Sequence, residues 1–387
     1  MTERVVTNPA TGAEAKSPTP DRQRREAISS DGRKRLRGRR IGVFGKGGSG
    51  KSTVTILLAR ALRSSGYEVV LVDADSTNVG LAAALGVETP QLTLLDSFGG
   101  TIFGGGAVTC PVDDPTVLAG AELSLGEIPQ ELLGRSPEGI YLLVAGKIGH
   151  LGPGAGCDGP ISKIARDLRI IGNGTEPVTL LDFKAGFEDS ARGVITSLDW
   201  ACVVVDPTVA AVQMAADLKR TVAEMRAGAM PATQHLESEV LADLARRLYR
   251  EAKIRGVSCV LNKIPDNETE SLLRSRLSAK GLEVLGVVHA SSAVGQAWLT
   301  GTSLEVPEVG EEIQGIAGRL ENALAESARK VTTLPSTRSG STPLTAATSG
   351  AGSGWETTPT GFAFEKRVRP VAAATSMTTI SSSRPGA

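Results

Sequence analysis

The sequence predicts an α/β protein in three layers, a mostly parallel sheet covered by helices on both faces, and three observations predict it. Seven short apolar runs alternate with segments whose apolar residues recur at three- and four-residue spacing. Each run is a nearly continuous stretch of Val, Leu and Ile, the pattern of a strand buried on both faces. The first run passes through a glycine-rich turn straight into a helical segment, as right-handed strand–helix–strand units require.

Taken in order, Ile41-Gly42-Val43-Phe44 is the first strand, and Val54, Leu57, Leu58, Ala61 and Leu62 mark the first helix. Between them lies Gly45-Lys46-Gly47-Gly48-Ser49-Gly50-Lys51-Ser52-Thr53, a G-x-x-x-x-G-K-S string in strand-to-helix context. Its glycines let the backbone turn tightly and point N–H groups inward, and the helix N-terminus adds partial positive charge. Lys51 then reaches the β- and γ-phosphates of a nucleotide while the Ser52 hydroxyl ligates Mg²⁺. Tyr67 to Val72 is the next strand; it delivers Asp73 and Asp75 at its carboxyl end, ahead of a helix over Leu81 to Leu85. Ligands of open parallel sheets bind outside those ends, so both carboxylates are expected beside the loop.

Gln91 to Glu138 is glycine-rich and weakly periodic, which predicts surface loops and short helices and gives Cys110 no chemistry. The strand Gly139 to Gly146 leads into a loop, Lys147 to Pro160, that carries His150 and Cys157 ahead of a helix from Ile161 to Leu168. A glycine-rich loop with a thiol at a helix mouth reads as a ligand or interaction loop. Val178 to Phe183 is a strand ending in Asp182, and Ala201 to Val205 is another, followed by a helix with Val212, Ala215, Ala216 and Leu218. Leu236 to Ile254 is amphipathic and basic on one side, a solvated outer helix. Val257 to Leu261, ending in Asn262 and Lys263, and Leu282 to Val288 complete the strands. Cys202 and Cys259 fall inside strands and read as core thiols.

Residues 1–39 lack apolar periodicity and hold nine Arg or Lys between Arg22 and Arg40 if Arg40 is counted, so they predict a disordered basic arm. Residues 331–387 are rich in Ser, Thr, Pro, Gly and Ala and predict a disordered tail, leaving 40–330 as one nucleotide-binding domain. With 42 acids against 42 bases the chain carries no net charge, and the arm has no interleaved aromatic residue; nucleic acid is therefore a disfavoured partner. Four cysteines make no disulfide framework. No eighteen-residue apolar stretch and no hydrophobic signal core occur, which predicts a cytoplasmic protein without a transmembrane segment.

The loop's second lysine, Lys46, directly after the first glycine, resembles the deviant phosphate loop of the MinD/ParA/nitrogenase-iron-protein superfamily, the CobQ/CobB/MinD/ParA nucleotide-binding domains. The resemblance implies a Mg²⁺-dependent ATP hydrolase, slow and partner-stimulated, in which Lys46 crosses to the nucleotide of a second subunit in an ATP-bound homodimer. It implies Asp73 near the metal, Asp75 positioning or deprotonating the attacking water, and Asp182 holding Mg²⁺ through water. Gly186 and Glu188 would belong to the γ-phosphate switch, and Asn262 would recognise adenine. His289-Ala290-Ser291-Ser292 stands where the family usually has a proline.

From Arg40 to Leu304, the order of elements and the D-x-x-A-G-x-E stretch at Asp182 are similar to the CooC family of carbon monoxide dehydrogenase accessory ATPases, which assist nickel insertion. In that family a C-x-C pair from each subunit binds one metal across the dimer. This chain has Cys157-Asp158-Gly159, without the second thiol. His150 with Cys157 from each subunit would again make four ligands for Ni²⁺ or Zn²⁺. Three roles stay open at this point: an accessory ATPase for an unidentified partner protein, a ParA- or MinD-like positioning ATPase acting on DNA, membrane or protein, and a nucleotide-gated binding module.

Overall fold

The computed structural model describes residues 34–101, 105–147, 157–172 and 174–332. His150 and the expected disordered arm and tail lie outside the described residues, apart from a few residues at the tails' inner ends.

In chain order the elements are β1 (Arg40–Gly45), α1 (Lys51–Ser64), β2 (Val69–Ala74), α2 (Leu81–Leu85), α3 (Leu94–Ser97), β3 (Glu122–Ser124), β4 (Leu133–Arg135), β5 (Tyr141–Val144) and α4 (Gly159–Asp167). There follow β6 (Arg169–Ile171), β7 (Val178–Phe183), α5 (Glu188–Ala191), β8 (Trp200–Val205), α6 (Val209–Arg226) and α7 (Glu239–Arg250). The chain closes with β9 (Gly256–Ile264), α8 (Asn267–Ala279), β10 (Glu283–His289), α9 (Ser292–Thr300) and α10 (Gly310–Thr332). An eight-stranded sheet runs β10-β9-β8-β1-β7-β2-β5-β4. All seven apolar runs are parallel neighbours in it. β4 is an antiparallel edge strand on β5, and β3 and β6 form a separate two-stranded parallel pair. None of these three short strands is predicted by the sequence, because three residues are too few to show a period.

Alternation along the buried strands sends successive side chains to opposite faces. Phe44, Val70, Val72, Leu181, Phe183 and Val203 belong to one apolar cluster with α4, α6 and α8. Ile41, Val43, Val69, Leu71, Leu180 and Val204 belong to the other, with α1, α2 and α10. Phe44 and Phe183 stack with ring centroids 4.8 Å apart, which locks β1 to β7 at their carboxyl ends. The register there matters most: Val43 pairs with Asp182, and Asp182 pairs with Asp73. The loop after β1, the acid of β7 and the acid of β2 therefore emerge side by side.

Candidate functional site

The loop after β1 returns on itself through a hydrogen bond from Ser49 N–H to Lys46 C=O, 3.1 Å, and Gly50 caps α1 in the left-handed region at φ 88°. Glycine is required at 45 because a Cβ there would lie 2.6 Å from Ser49 Oγ and 2.7 Å from the Val204 carbonyl, and backbone cannot give way. Gly48, at φ 80°, has open space around it, and Gly47 meets only Ala185. Lys51 is buried at the start of α1, whereas Lys46 is exposed with Gly47 and Gly48. Ser49 Oγ is buried without a hydrogen-bond partner in the protein. An orphaned buried hydroxyl in a glycine cradle at a helix mouth fits an oxyanion ligand.

Ser52 Oγ donates to Asp182 Oδ2 at 2.6 Å and accepts from Asn78 Nδ2 at 3.0 Å. Thr55 Oγ1 lies 3.2 Å from Asp182 Oδ1. Burial pushes the Asp182 carboxyl up to about 6 against the opposing pull of Ser52 and Lys51, and burial pushes Asp73 up to about 7 despite Lys147. Lys147 Nζ donates to Asp73 Oδ2 at 2.7 Å and to the Asp75 carbonyl at 2.6 Å. Two buried carboxyls held short of full ionisation beside a hydroxyl are a donor set that suits a hard divalent cation, whose charge would offset the desolvation. Asp75 is half-buried, and its Oδ1 accepts from Thr77 N–H and Thr77 Oγ1, which orders the turn after β2. Gly186 N–H donates to the Gly45 carbonyl at 3.2 Å, tying the segment after β7 to the loop's first glycine.

On the outer side of the loop lies a cavity of about 560 Å³, lined by Gly48 and Gly50 to Thr53 of the loop and helix mouth, by Asn262 and Lys263, and by Val288, Ala290, Val294 and Trp298. Asn262 Nδ2 donates to the Ser49 carbonyl at 2.7 Å and Lys263 Nζ to the Gly48 carbonyl at 2.9 Å, so the end of β9 grips the loop from outside. Trp298 Nε1 donates to Thr53 Oγ1 at 2.9 Å, fastening α9 to α1. A pocket with apolar walls beside phosphate-binding amides has room for a base and ribose.

Cys157 precedes α4, and its Sγ accepts from Gly159 N–H at 3.2 Å. Asp158, the next residue, accepts from Ser76 Oγ and from Lys184 Nζ, the latter at 2.6 Å. Lys147, Asn78, Lys184 and Trp298 carry no sequence motif. The signal for Lys147 was indirect, since it follows the strand that pairs with β2; Trp298 comes to the site only through the packing of α9.

Residues 43–304 match the family model described as CobQ/CobB/MinD/ParA nucleotide binding domain. The chain is 33% identical over 195 residues to the carbon monoxide dehydrogenase accessory protein CooC of Rhodospirillum rubrum, covering 46% of this chain and 67% of that one. It is 25% identical over 279 residues to an uncharacterized ATP-binding protein of Methanocaldococcus jannaschii, covering 71% and 98%. Among solved structures, the septum site-determining protein MinD complexed with Mg-ADP from Pyrococcus horikoshii is 17% identical, with a TM-score of 0.48, covering 75% of this chain and 99% of that one. With the phosphate loop, its serine and the flanking acids inside the matched span, the chain belongs to the CobQ/CobB/MinD/ParA nucleotide-binding domain family of P-loop ATPases.

Proposed function

We propose that the chain binds Mg-ATP in the cleft at the mouth of α1, hydrolyses the terminal phosphate, and uses the difference between the two states to act on a partner protein. The observation that carries this reading is the hydrogen bond from Ser52 Oγ to Asp182 Oδ2, with Asp73 next to Asp182 in the sheet. The loop amides and Lys51 would hold the phosphates, with the Ser49 hydroxyl beside them. Ser52 would ligate the cation directly, and Asp182 and Asp73 would hold its waters. When bound, Mg²⁺ neutralises charge on the β- and γ-phosphate oxygens.

Asp75 would orient the attacking water, while Lys46 from a second subunit would add positive charge where charge develops. Asn262 has its Nδ2 engaged by the loop, so its Oδ1 is the atom for the adenine amino group. Lys51→Ala is expected to abolish tight ATP binding, and Asp75→Ala to keep binding while turnover falls by about 10² or more. Equilibrium binding of a labelled ATP analogue and steady-state phosphate release measure the two. Parent-like turnover in Asp75→Ala would remove that residue from the chemistry.

The similarity to a carbon monoxide dehydrogenase accessory protein favours a maturation or accessory role for the partner. The basic run from Arg22 to Arg40 fits a second reading, a positioning ATPase acting on DNA, membrane or a partner protein. Retention on DNA that falls steeply with salt, and that is lost when residues before Ile41 are removed, would select the second.

A further inference from the structure

At the amino ends of the parallel strands, opposite the nucleotide loop, the chain builds a second cavity whose charged lining is entirely cationic. Arg39 precedes β1 and Arg255 precedes β9, the two strands that flank β8, while Arg226 and Arg250 end α6 and α7. With Lys253 they line a cavity of about 670 Å³, and among the described residues no carboxylate lines it. Its apolar lining is Met225, Met230, Tyr249 and Ile254, of which Met225 and Ile254 are buried.

Little in the protein answers this charge. Asp199, which adjoins Arg39, accepts from Arg39 Nη1 at 2.8 Å with one oxygen and from the Arg40 N–H at 2.9 Å with the other. Arg226 Nη1 donates to the Arg255 carbonyl at 2.9 Å, which ties α6 to the segment before β9 and leaves the guanidinium charge unneutralised. The side chains of Arg250, Lys253 and Arg255 bond to no described residue. Helix dipoles account for a cation at the end of α6 and of α7, but Lys253 and Arg255 lie beyond α7.

We infer that this cavity binds a small ligand bearing a chain of phosphate groups, held among Arg226, Arg250, Lys253 and Arg255. The inference goes beyond the ATPase reading and does not rest on it, because ligands of open parallel sheets ordinarily sit at the carboxyl ends. Guanidinium forks match phosphate oxygens in pairs, and the lysine adds a point charge. Four cations around one cavity call for several negative charges in a small volume, which a di- or triphosphate supplies and a single carboxylate does not. The volume is that of a small-molecule site, and a concave wall suits a compact ligand better than a duplex. Tyr249 and the two methionines leave an apolar flank for an organic group, so free triphosphate and a nucleotide are the two sources of this chemistry.

The test titrates inorganic triphosphate and GTP by calorimetry, at low salt, into the full chain carrying Lys51→Ala in EDTA, so that neither Lys51 nor Mg²⁺ supports the nucleotide loop. The expected result is saturable binding of one triphosphate per chain that weakens with salt. Affinity falls about tenfold or more in each of Arg250→Ala and Lys253→Ala, and binding is lost when both are changed to Glu. Thermal melts report the folding of each variant, and the parent preloaded with Mg-ADP is titrated in parallel in case Lys51→Ala does not fold. An organic source shows as tighter binding of GTP than of triphosphate, reduced to the triphosphate level in Tyr249→Leu; an inorganic source shows as equal binding of both. Triphosphate binding that survives the double charge reversal, or is absent from the folded chain, overturns the proposal. So does tighter binding of a DNA duplex or an oligoglutamate peptide that is lost in the same variants, since the surface would then belong to a macromolecule.

Discussion

Asp73 and Asp182 set the pH behaviour of the site. Burial raises their carboxyls to about 7 and about 6, above the unfolded range near 4, so between those values the folded chain without nucleotide holds protons that the unfolded chain has released. The stability that these two carboxyls contribute to the nucleotide-free protein is therefore fully present below the unfolded range and is lost as pH rises through about 6 to 7. Asp182→Asn is expected to flatten that decline in thermal melts across pH. Mg²⁺ has the opposite slope, since it must displace those protons: Mg²⁺-dependent ATP affinity should fall about tenfold per pH unit and per proton below pH 7. A titration calorimetry series from pH 5.5 to about 8 checks it; a flat Mg²⁺ dependence would mean neither acid meets the cation. Asn262→Ala leaves the buried Ser49 carbonyl without its donor, so it should cost about 1–3 kcal/mol of stability. If its Oδ1 also reads the base, the variant loses more affinity for ATP than for GTP, which competition binding measures.

At the scale of elements, the seven parallel strands were legible because each is a buried apolar run long enough to show itself, as in Val178 to Phe183. β3, β4 and β6 were not, because their pairing partners decide them and their own three residues do not. The expected outer helix from Leu236 to Ile254 is shorter, Glu239–Arg250, where Ser238 caps it through the Leu241 N–H; only Ala242 of it is buried, which agrees with a solvated face. The helix expected at Ile161 starts earlier, at Gly159, since Pro160 is well suited to a first turn. α9 is the element whose role only its packing reveals. Its Trp298 indole holds Thr53 and walls the cavity, so Trp298→Ala is expected to weaken ATP binding about tenfold, or about 1.4 kcal/mol, with turnover at saturating ATP unchanged. Equal loss in affinity and turnover would show that α9 shapes the catalytic loop as well as the pocket.

For the whole molecule, the sheet order sets the carboxyl ends of β1, β7 and β2 side by side, and Lys46 beside them is exposed. ATP is expected to shift the chain from monomer to dimer, and Lys46→Ala to abolish the shift while each monomer still binds nucleotide. Sedimentation with Asp75→Ala and Mg-ATP, with and without the second substitution, measures it. Among the described residues no helix is long and apolar enough to cross a membrane. The sequence by itself determined the α/β class and made legible the glycine-rich turn and the strand-end positions of Asp73 and Asp182, because each depends on neighbours within a few residues: a strand, a tight turn and a helix mouth; that the two acids stand side by side was left to the strand register. Tertiary structure alone decided that Lys147 pairs with Asp73, that the end of β9 grips the loop, and that Cys110 stands beside Cys157. Those contacts join residues far apart in the chain, and only the order in which strands pair and helices pack brings them within reach.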